Sequence, residues 1–192
     1  MSANRQRLDT LVADRGLVES REQARRLILA GEVFVNGHTA TKPGNAVPSD
    51  AEVTLKASPR FVSRGGEKLD AAFAAFNPSV TGMDCLDVGA STGGFTDCLL
   101  QHGAARVAAV DVGRGQIHWR LRSDPRVVVC DGINARYLKP TDIPFTPAFA
   151  TVDVAFISLT TVLPAVIQVL RSTAELVTLI KPQFEAGRRD VG

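Results

Sequence analysis

Met83-Asp-Cys-Leu-Asp-Val-Gly-Ala-Ser-Thr-Gly-Gly-Phe-Thr96 is the stretch that decides the fold: an apolar strand breaks into glycines and restarts as a helix. Cys85, Leu86 and Val88 fit a short buried strand. Gly89, Gly93 and Gly94 let the backbone turn sharply and approach a ligand without Cβ hindrance. A helix is expected from Phe95 to Leu100. The spacing is related to the dinucleotide fingerprint Gly-x-Gly-x-x-Gly, but Ser91 stands where the second glycine would let a pyrophosphate press on the backbone. That change disfavours NAD and suits a nucleoside without a diphosphate, S-adenosylmethionine being the common one. The same residues spell Gly89-x-Ser91-x-Gly93, the nucleophile elbow of serine hydrolases. That chemistry needs a histidine after the acid. None follows Asp131, Asp142 or Asp153, and the acids that precede one, Asp97 and Asp111, read as helix and strand-end residues.

A chain of 192 residues with 45% apolar residues can bury a core and accommodate one α/β domain with a small companion. No run of eighteen apolar residues occurs, and the charged N-terminus has no apolar stretch behind it. Neither a membrane span nor a signal peptide is supported, and a cytoplasmic location is expected. Cys85, Cys98 and Cys130 are odd in number and set in apolar runs, which reads as buried thiols rather than a disulfide framework or a metal site. A net charge of +2 does not by itself imply a nucleic-acid partner; only clustering of the charge could.

Residues 1–57 read as a small module of two helices followed by short strands. Leu8, Leu11 and Val12 give the first helix its apolar face, and it stops at Arg15-Gly16. Ser20-Arg-Glu-Gln23 is a capping-box pattern, with Ala24, Leu27 and Ile28 facing inward and Gly31 ending the helix. Val33-Phe-Val35, the turn pair Asn36-Gly37 and Thr39 to Lys42 predict a hairpin, with a later strand at Glu52 to Lys56. Arg21 and Arg25 share a helix face, with Arg26 adjacent and Arg5, Arg7 and Arg15 nearby in sequence. That is a phosphate-contacting surface or an ordinary solvated face diluted by Asp9, Asp14, Glu19 and Glu22. Arg7-Leu-Asp, Ser20-Arg-x-x-Ala-x-x-Leu-Ile and Gly31-x-Val-x-Val-Asn-Gly37 resemble the S4 RNA-binding domain, which implies docking on structured RNA.

Residues 58–67, with Pro59 and the Gly65-Gly66 pair, read as a linker. From Lys68 to Gly192 strands and helices alternate, which predicts an α/β domain with a parallel sheet and helices on both faces. A helix through Leu69, Ala72, Phe73 and Phe76 ends at Asn77-Pro78. After the glycine turn, Val107 to Val110 closes on Asp111, placed to grip a ribose diol or else to cap a helix. Gly113 to Arg122 reads as a loop and helix carrying Trp119. Val127 to Cys130 ends on Asp131-Gly132, where Asp131 could accept an adenine amine. Thr151 to Ile157 reads as the fourth strand with Asp153 inside it, a carboxylate costly to bury without a partner. A helix from Leu159 to Leu170, with Pro164 near its first turn, and a fifth strand from Leu176 to Ile180 deliver Lys181-Pro-Gln-Phe-Glu185 to the sheet's carboxyl edge. Such a sheet normally has further strands, so the chain is expected to be a fragment lacking them.

With Ser63-Arg-Gly-Gly-Glu-Lys-Leu69, Asp87-Val-Gly-Ala-Ser-Thr-Gly-Gly-Phe95, Asp111-Val-Gly-x-Gly-Gln116, Asp153-Val-x-Phe-Ile-Ser158 and Leu179-Ile-Lys-Pro-Gln-Phe-Glu185 in view, almost the whole chain resembles the TlyA family. The resemblance implies an S4 domain joined to an FtsJ-like, Rossmann-like methyltransferase. It also implies 2′-O-methylation of cytidines in 16S and 23S ribosomal RNA, with S-adenosylmethionine as donor and no metal. Some members are also labelled haemolysins. The family's Lys-Asp-Lys-Glu set carries over onto Lys68, Asp153 and Lys181. The glutamate would lie beyond Gly192, with Glu185 as a neighbour of the site. The resemblance places the cofactor on Asp87, Gly89, Ser91, Thr92, Gly93, Gly94, Phe95, Asp111, Asp131 and Gly132, and adds Arg64 to the RNA-binding arginines. Where many relatives have Arg-x-Trp-Val, this chain has Pro59-Arg-Phe-Val62. Two other readings are a non-catalytic RNA-binding protein and a membrane-acting cytolysin, the latter disfavoured by the lack of a strong apolar amphipathic segment.

Overall fold

Strand β6 (Asp84–Val88) runs up the middle of a five-stranded parallel sheet, and the alternation of its side chains builds both layers of the larger unit. The computed structural model describes residues 4–18, 20–56 and 60–186, and the chain divides into two compact units, Met1–Ser58 and Pro59–Gly192. In the second unit, β7 (Arg106–Asp111), β8 (Val127–Asp131), β9 (Phe149–Val152) and β10 (Glu175–Thr178) join β6 in the order β10-β9-β6-β7-β8. Cys85, Val107, Ala109 and Phe149 point to one face and pack with α3 (Gly65–Phe76), α4 (Gly94–Gln101) and α5 (Trp119–Arg122). Leu86, Val88, Ala108, Val110, Ala150 and Val152 point to the other, covered by α6 (Leu159–Val169). Period-2 alternation inside apolar strands is what lets one sheet carry two cores. A short helix, α7 (Pro182–Glu185), follows β10.

Several expectations are corrected here. The helix expected from Lys68 begins at Gly65, and Phe61, read as linker, is buried; a Cβ on Gly66 would collide with its ring. Pro59 and residues 187–192 lie outside the described residues. Strand β9 stops at Val152, so Asp153 is not inside a strand but just beyond its carboxyl end, and Phe156 turns back at φ 61°. Pro164, expected near the first turn of α6, lies inside the helix in its second turn. Between β8 and β9 the described chain forms two 3₁₀ turns, Ala135–Tyr137 and Pro140–Asp142, instead of a helix. Helix α3 ends at Asn77-Pro78 as expected, but Asn77 takes the left-handed conformation rather than the extended one usual before proline.

The first unit contains α1 (Leu8–Asp14), α2 (Arg21–Leu29) and an antiparallel sheet in the order β3-β2-β5, formed by β2 (Val33–Val35), β3 (His38–Ala40) and β5 (Val53–Leu55). Ser20 Oγ accepts from Gln23 N at 3.2 Å, and Asn36 and Gly37 both take positive φ, the geometry of a tight hairpin turn. The helices are not first in order: β1 (Arg5–Arg7) precedes them and pairs antiparallel with β4 (Ala46–Pro48). Arg-Gln-Arg carries no apolar alternation that could have announced a strand. Leu8, Leu11, Val12, Ala24, Ile28, Val33, Val47 and Val53 form the core.

Inside that unit, Asp9 is fully buried and paired with Arg7 (2.9 Å) and Arg21 (3.1 Å). The Arg7 hydrogen bond, against the cost of burial and with help from Arg21, holds the Asp9 carboxyl down at about 2. A depressed folded value means that the pair's stabilisation is present above the usual aspartate value near 4 and is lost as pH falls toward about 2. Asp9→Asn is therefore expected to destabilise the first unit by about 2 kcal/mol at pH 7, and by much less near pH 2, read as loss of amide-exchange protection in α1 and α2 and as urea midpoints.

Candidate active site

The carboxyl ends of β6, β9 and β10 are tied by a continuous row of backbone bonds, Asp153 N to Val88 O and Leu179 N to Val152 O, each 2.9 Å. This brings the residues after each strand to one edge, where ligands bind in such sheets. Gly89 (φ 84°) follows β6; a Cβ there would lie 2.9 Å from the Asp153 carbonyl carbon and still closer to its oxygen. Asp153 follows β9, and Lys181 follows β10. The Lys181 ammonium forms an ion pair with the buried Oδ1 of Asp153 and donates to Val154 O at 2.9 Å. Lys68, one turn into α3, lines a cavity of about 750 Å³ together with Asp153, Gly89, Ser91, Thr92 and Phe95. Among the described residues, Lys68 makes no hydrogen bond or ion pair. The structure thus gathers Lys68, Asp153 and Lys181, which are far apart in sequence. Arg64 lines the same cavity.

Glu185 faces elsewhere. Its carboxylate accepts from Leu159 N (2.8 Å) and Ser158 Oγ (2.6 Å), capping α6, and the Leu159 N–H together with that hydroxyl holds it below the usual glutamate range.

The glycine turn works differently from the sequence expectation. The space left by each missing Cβ is filled by protein rather than kept for a ligand. Gly89 admits the Asp153 backbone, Gly93 (φ 94°) admits Leu121, and Gly94 lies 2.8 Å in Cβ terms from Gly66 N at the crossing of α3 and α4. Ser91, at φ 49°, donates its backbone N–H to Asp111 Oδ2 (2.8 Å), whose Oδ1 accepts from Gly113 N (2.7 Å). Among the described residues no histidine bonds Ser91, so it lacks the base that a hydrolase nucleophile needs.

Asp87 is not a direct ligand contact. It is fully buried, with Oδ2 accepting from Thr96 Oγ1 (2.7 Å) and Oδ1 from Thr151 Oγ1 (3.1 Å). Burial pushes its carboxyl up to about 6 against the pull of both hydroxyls. Asp111 lines a second cavity, about 600 Å³, with Val112, Gln116, Asn134, Phe156 and Ile157. Asp131 borders neither cavity; its Oδ2 accepts from Gly115 N (3.0 Å) and Arg122 (3.2 Å), which hold it below the aspartate range. Gly132 takes φ 77° beside the Arg114 guanidinium.

Sequence reasoning missed Thr96 and Thr151, Val154 O, Asn134 and the aromatic pair Phe156–Phe184, whose centroids are 5.2 Å apart. Only Thr96, two turns of chain beyond Asp87, had a local signal. A trio with ligand chemistry, Asp70, Cys98 and His102, has its ligand atoms within 4.8 Å of one another. Asp70 is bound to His102 at 2.7 Å and to Arg60, and burial pushes the Cys98 thiol up to about 12.

In the first unit the predicted arginines divide. Arg15 donates to Ser49 O and Ala51 O, both 2.7 Å; Arg5 donates to Ala46 O; Arg7 and Arg21 hold Asp9. Arg25 and Arg26 make no such bonds among the described residues, and with Arg21, Glu22 and Leu29 they line a surface hollow. No helix among the described residues is long and apolar enough to cross a membrane.

A parallel sheet in this order, with a glycine turn after its central strand, defines a Rossmann-like domain. The FtsJ-like methyltransferase model matches residues 61–192 and the S4 domain model residues 6–53. YqxC of Bacillus subtilis, by its name a candidate rRNA methyltransferase, is 49% identical over 100% of this chain and 69% of its own. The 16S/23S rRNA (cytidine-2′-O)-methyltransferase TlyA of Mycobacterium tuberculosis is 48% identical over 99% of this chain and 72% of its own. A solved Streptococcus thermophilus structure, described as a candidate hemolysin, superposes with TM-score 0.69 at 48% identity, covering 100% of this chain and 71% of that one. The chain belongs to the TlyA family, in which an S4 domain is joined to an FtsJ-like methyltransferase.

Two outcomes follow from this geometry. Gly89→Ala is expected to cost about 3 kcal/mol through positive φ and the clash with Asp153, lowering the melting temperature by roughly 6–12 °C. Asp87, with its value raised, contributes stability below about 4 that is lost as pH rises through about 6. In urea unfolding at pH 4, 6 and 8, the difference between wild type and Asp87→Asn should move in the variant's favour as pH rises.

Proposed function

We propose that this chain transfers the methyl group of S-adenosylmethionine to ribose 2′-hydroxyls of ribosomal RNA, at cytidines as in the M. tuberculosis relative's name. The observation that carries the reading is the cluster of Lys68, Asp153 and Lys181 beside the glycine turn.

The residues fit a nucleoside donor. Two adjoining hollows of about 750 and 600 Å³ share Gly89, Ser91 and Asp153, and are of the size that takes such a ligand. Asp111, already oriented by two backbone N–H groups, would hold the ribose diol, with Asn134 and Gln116 near the base. When bound, S-adenosylmethionine supplies an electrophilic methyl on a sulfonium.

A ribose hydroxyl is a poor nucleophile at neutral pH, so the protein's task is to place it and to stabilise the negative charge that grows on oxygen. Lys181 is assigned as base or oxyanion stabiliser, Asp153 as the group that orients it, and Lys68 as the group that positions the ribose. With Lys181 paired to Asp153 and Lys68 unpaired among the described residues in the same cavity, the three groups sum to one positive charge where an alkoxide would form. The exposed Phe156 ring, backed by Phe184, offers the target base an apolar face. In the first unit, Arg25 and Arg26 are assigned to RNA phosphates.

Radiolabel transfer from S-adenosylmethionine to ribosomal subunits that lack the modification tests the reading. Lys181→Ala and Lys68→Ala should each lower transfer at least a hundredfold while donor binding stays within about threefold. Phe156→Ala should raise KM for RNA more than it lowers kcat. Transfer that survives Lys181→Ala would overturn the assignment; RNA binding with no transfer by the wild type would favour a non-catalytic binder.

A further inference from the structure

Helix α7 is four residues long, too short to hold its place by its own hydrogen bonds, yet Lys181 is its N-cap. Its position is set from outside, by the loop that follows β9. At its amino end the Lys181 ammonium is paired with Asp153 and donates to Val154 O at 2.9 Å. In its middle the Phe184 ring packs on Phe156 with centroids 5.2 Å apart. At its carboxyl end both oxygens of Glu185 are engaged, Oε2 accepting from Ser158 Oγ at 2.6 Å and Oε1 from Leu159 N at 2.8 Å. Residues 153–159 and 181–185 are thus tied at three levels, beyond the point where backbone pairing of β9 and β10 stops, at Leu179 N to Val152 O among the described residues.

The loop needs such ties. Phe156 sits at φ 61°, an unfavourable conformation for a bulky residue that persists only where its surroundings over-determine it, and at 91% exposure burial does not hold it. The ties to α7 lie on either side of it. Capping of α6 alone does not explain Glu185, because Ser158 is already the N-cap and its Oγ accepts from Thr160 N at 3.1 Å. What a carboxylate brought from 26 residues away adds is a hold on the far end of the helix that begins at Lys181.

The geometry points to Glu185 as a positioning residue, which locks the carboxyl end of α7 to the Ser158-Leu159 turn and so keeps Lys181, at the other end, against Asp153. This inference rests on the methyl-transfer reading, and Glu185 acts through Lys181 rather than on the reacting atoms.

The test measures radiolabel transfer to ribosomal subunits, S-adenosylhomocysteine binding and amide exchange in the whole chain. Glu185→Ala should lower kcat about tenfold, and Glu185→Gln, which keeps one acceptor oxygen, about threefold or less, with S-adenosylhomocysteine affinity within about twofold in both. Amides of residues 154–159 should exchange about tenfold faster in Glu185→Ala while those of β6 and β9 keep their protection. On a Lys181→Ala background, Glu185→Ala should cost no further transfer, which a general loss of stability would not give. Full kcat in Glu185→Ala beside an active wild type would overturn the positioning role and leave the methylation reading standing. Loss of donor affinity or of β6 protection, or a further loss on the Lys181→Ala background, would make Glu185 a purely structural cap and also overturn it. A wild type that transfers no methyl would remove both the methylation reading and this role.

Discussion

The close passage of Gly89 against the carbonyl of Asp153 sets the geometry of the site. Two neighbouring parallel strands leave the sheet there with no room for a side chain between them, so the turn after β6 and the turn after β9 are fixed relative to each other. Asp153 is thereby held just outside the sheet, where its carboxylate is only partly desolvated and can meet Lys181 from the next strand. The ion pair is a consequence of strand order. β10 lies beside β9, and Lys181 and Asp153 follow paired strand ends. Side chains held this way need little reorganisation when a ligand arrives.

Beneath the glycine turn, polar and apolar packing act together. Asp87 would be expensive in the core on its own, and the Thr96 and Thr151 hydroxyls offset that cost while tying β6 to α4 and β9. The Gly65-Gly66 pair lets α3 press against Phe61 and the start of α4. This close crossing carries Lys68 to the same cavity as Asp153. Glycines that sequence motifs associate with ligand approach here serve mainly the approach of protein to protein.

The first unit divides its arginines between two tasks. Asp9, buried with Arg7 and Arg21, and Arg15, bound to two carbonyls, stabilise the small core. Arg25 and Arg26 on the outer face of α2 keep their guanidinium groups uncommitted. The arginines that the sequence placed on one candidate phosphate-contacting or solvated face thus include several that hold the scaffold together. Such a division is expected where a domain of limited core volume needs ion pairs to supplement burial.

What the sequence by itself determined is local. The apolar run breaking into glycines at Val88, the Ser20 cap, the Asn36-Gly37 turn and the alternation from residue 68 onward all rest on contacts within a few residues, so they were legible before folding. The identities of Lys68, Asp153 and Lys181 were also readable, through resemblance. Their meeting was not, because nothing local connects residues separated by as much as 113 positions in a chain of 192. Tertiary structure alone decided that β9 ends before Asp153, that α3 begins at Gly65, that Asp87 is sealed behind two threonines and that Glu185 caps α6. Each of these depends on which atoms of a distant segment occupy the neighbouring space, and steric exclusion and hydrogen-bond pairing across strands settle that only when the chain has closed.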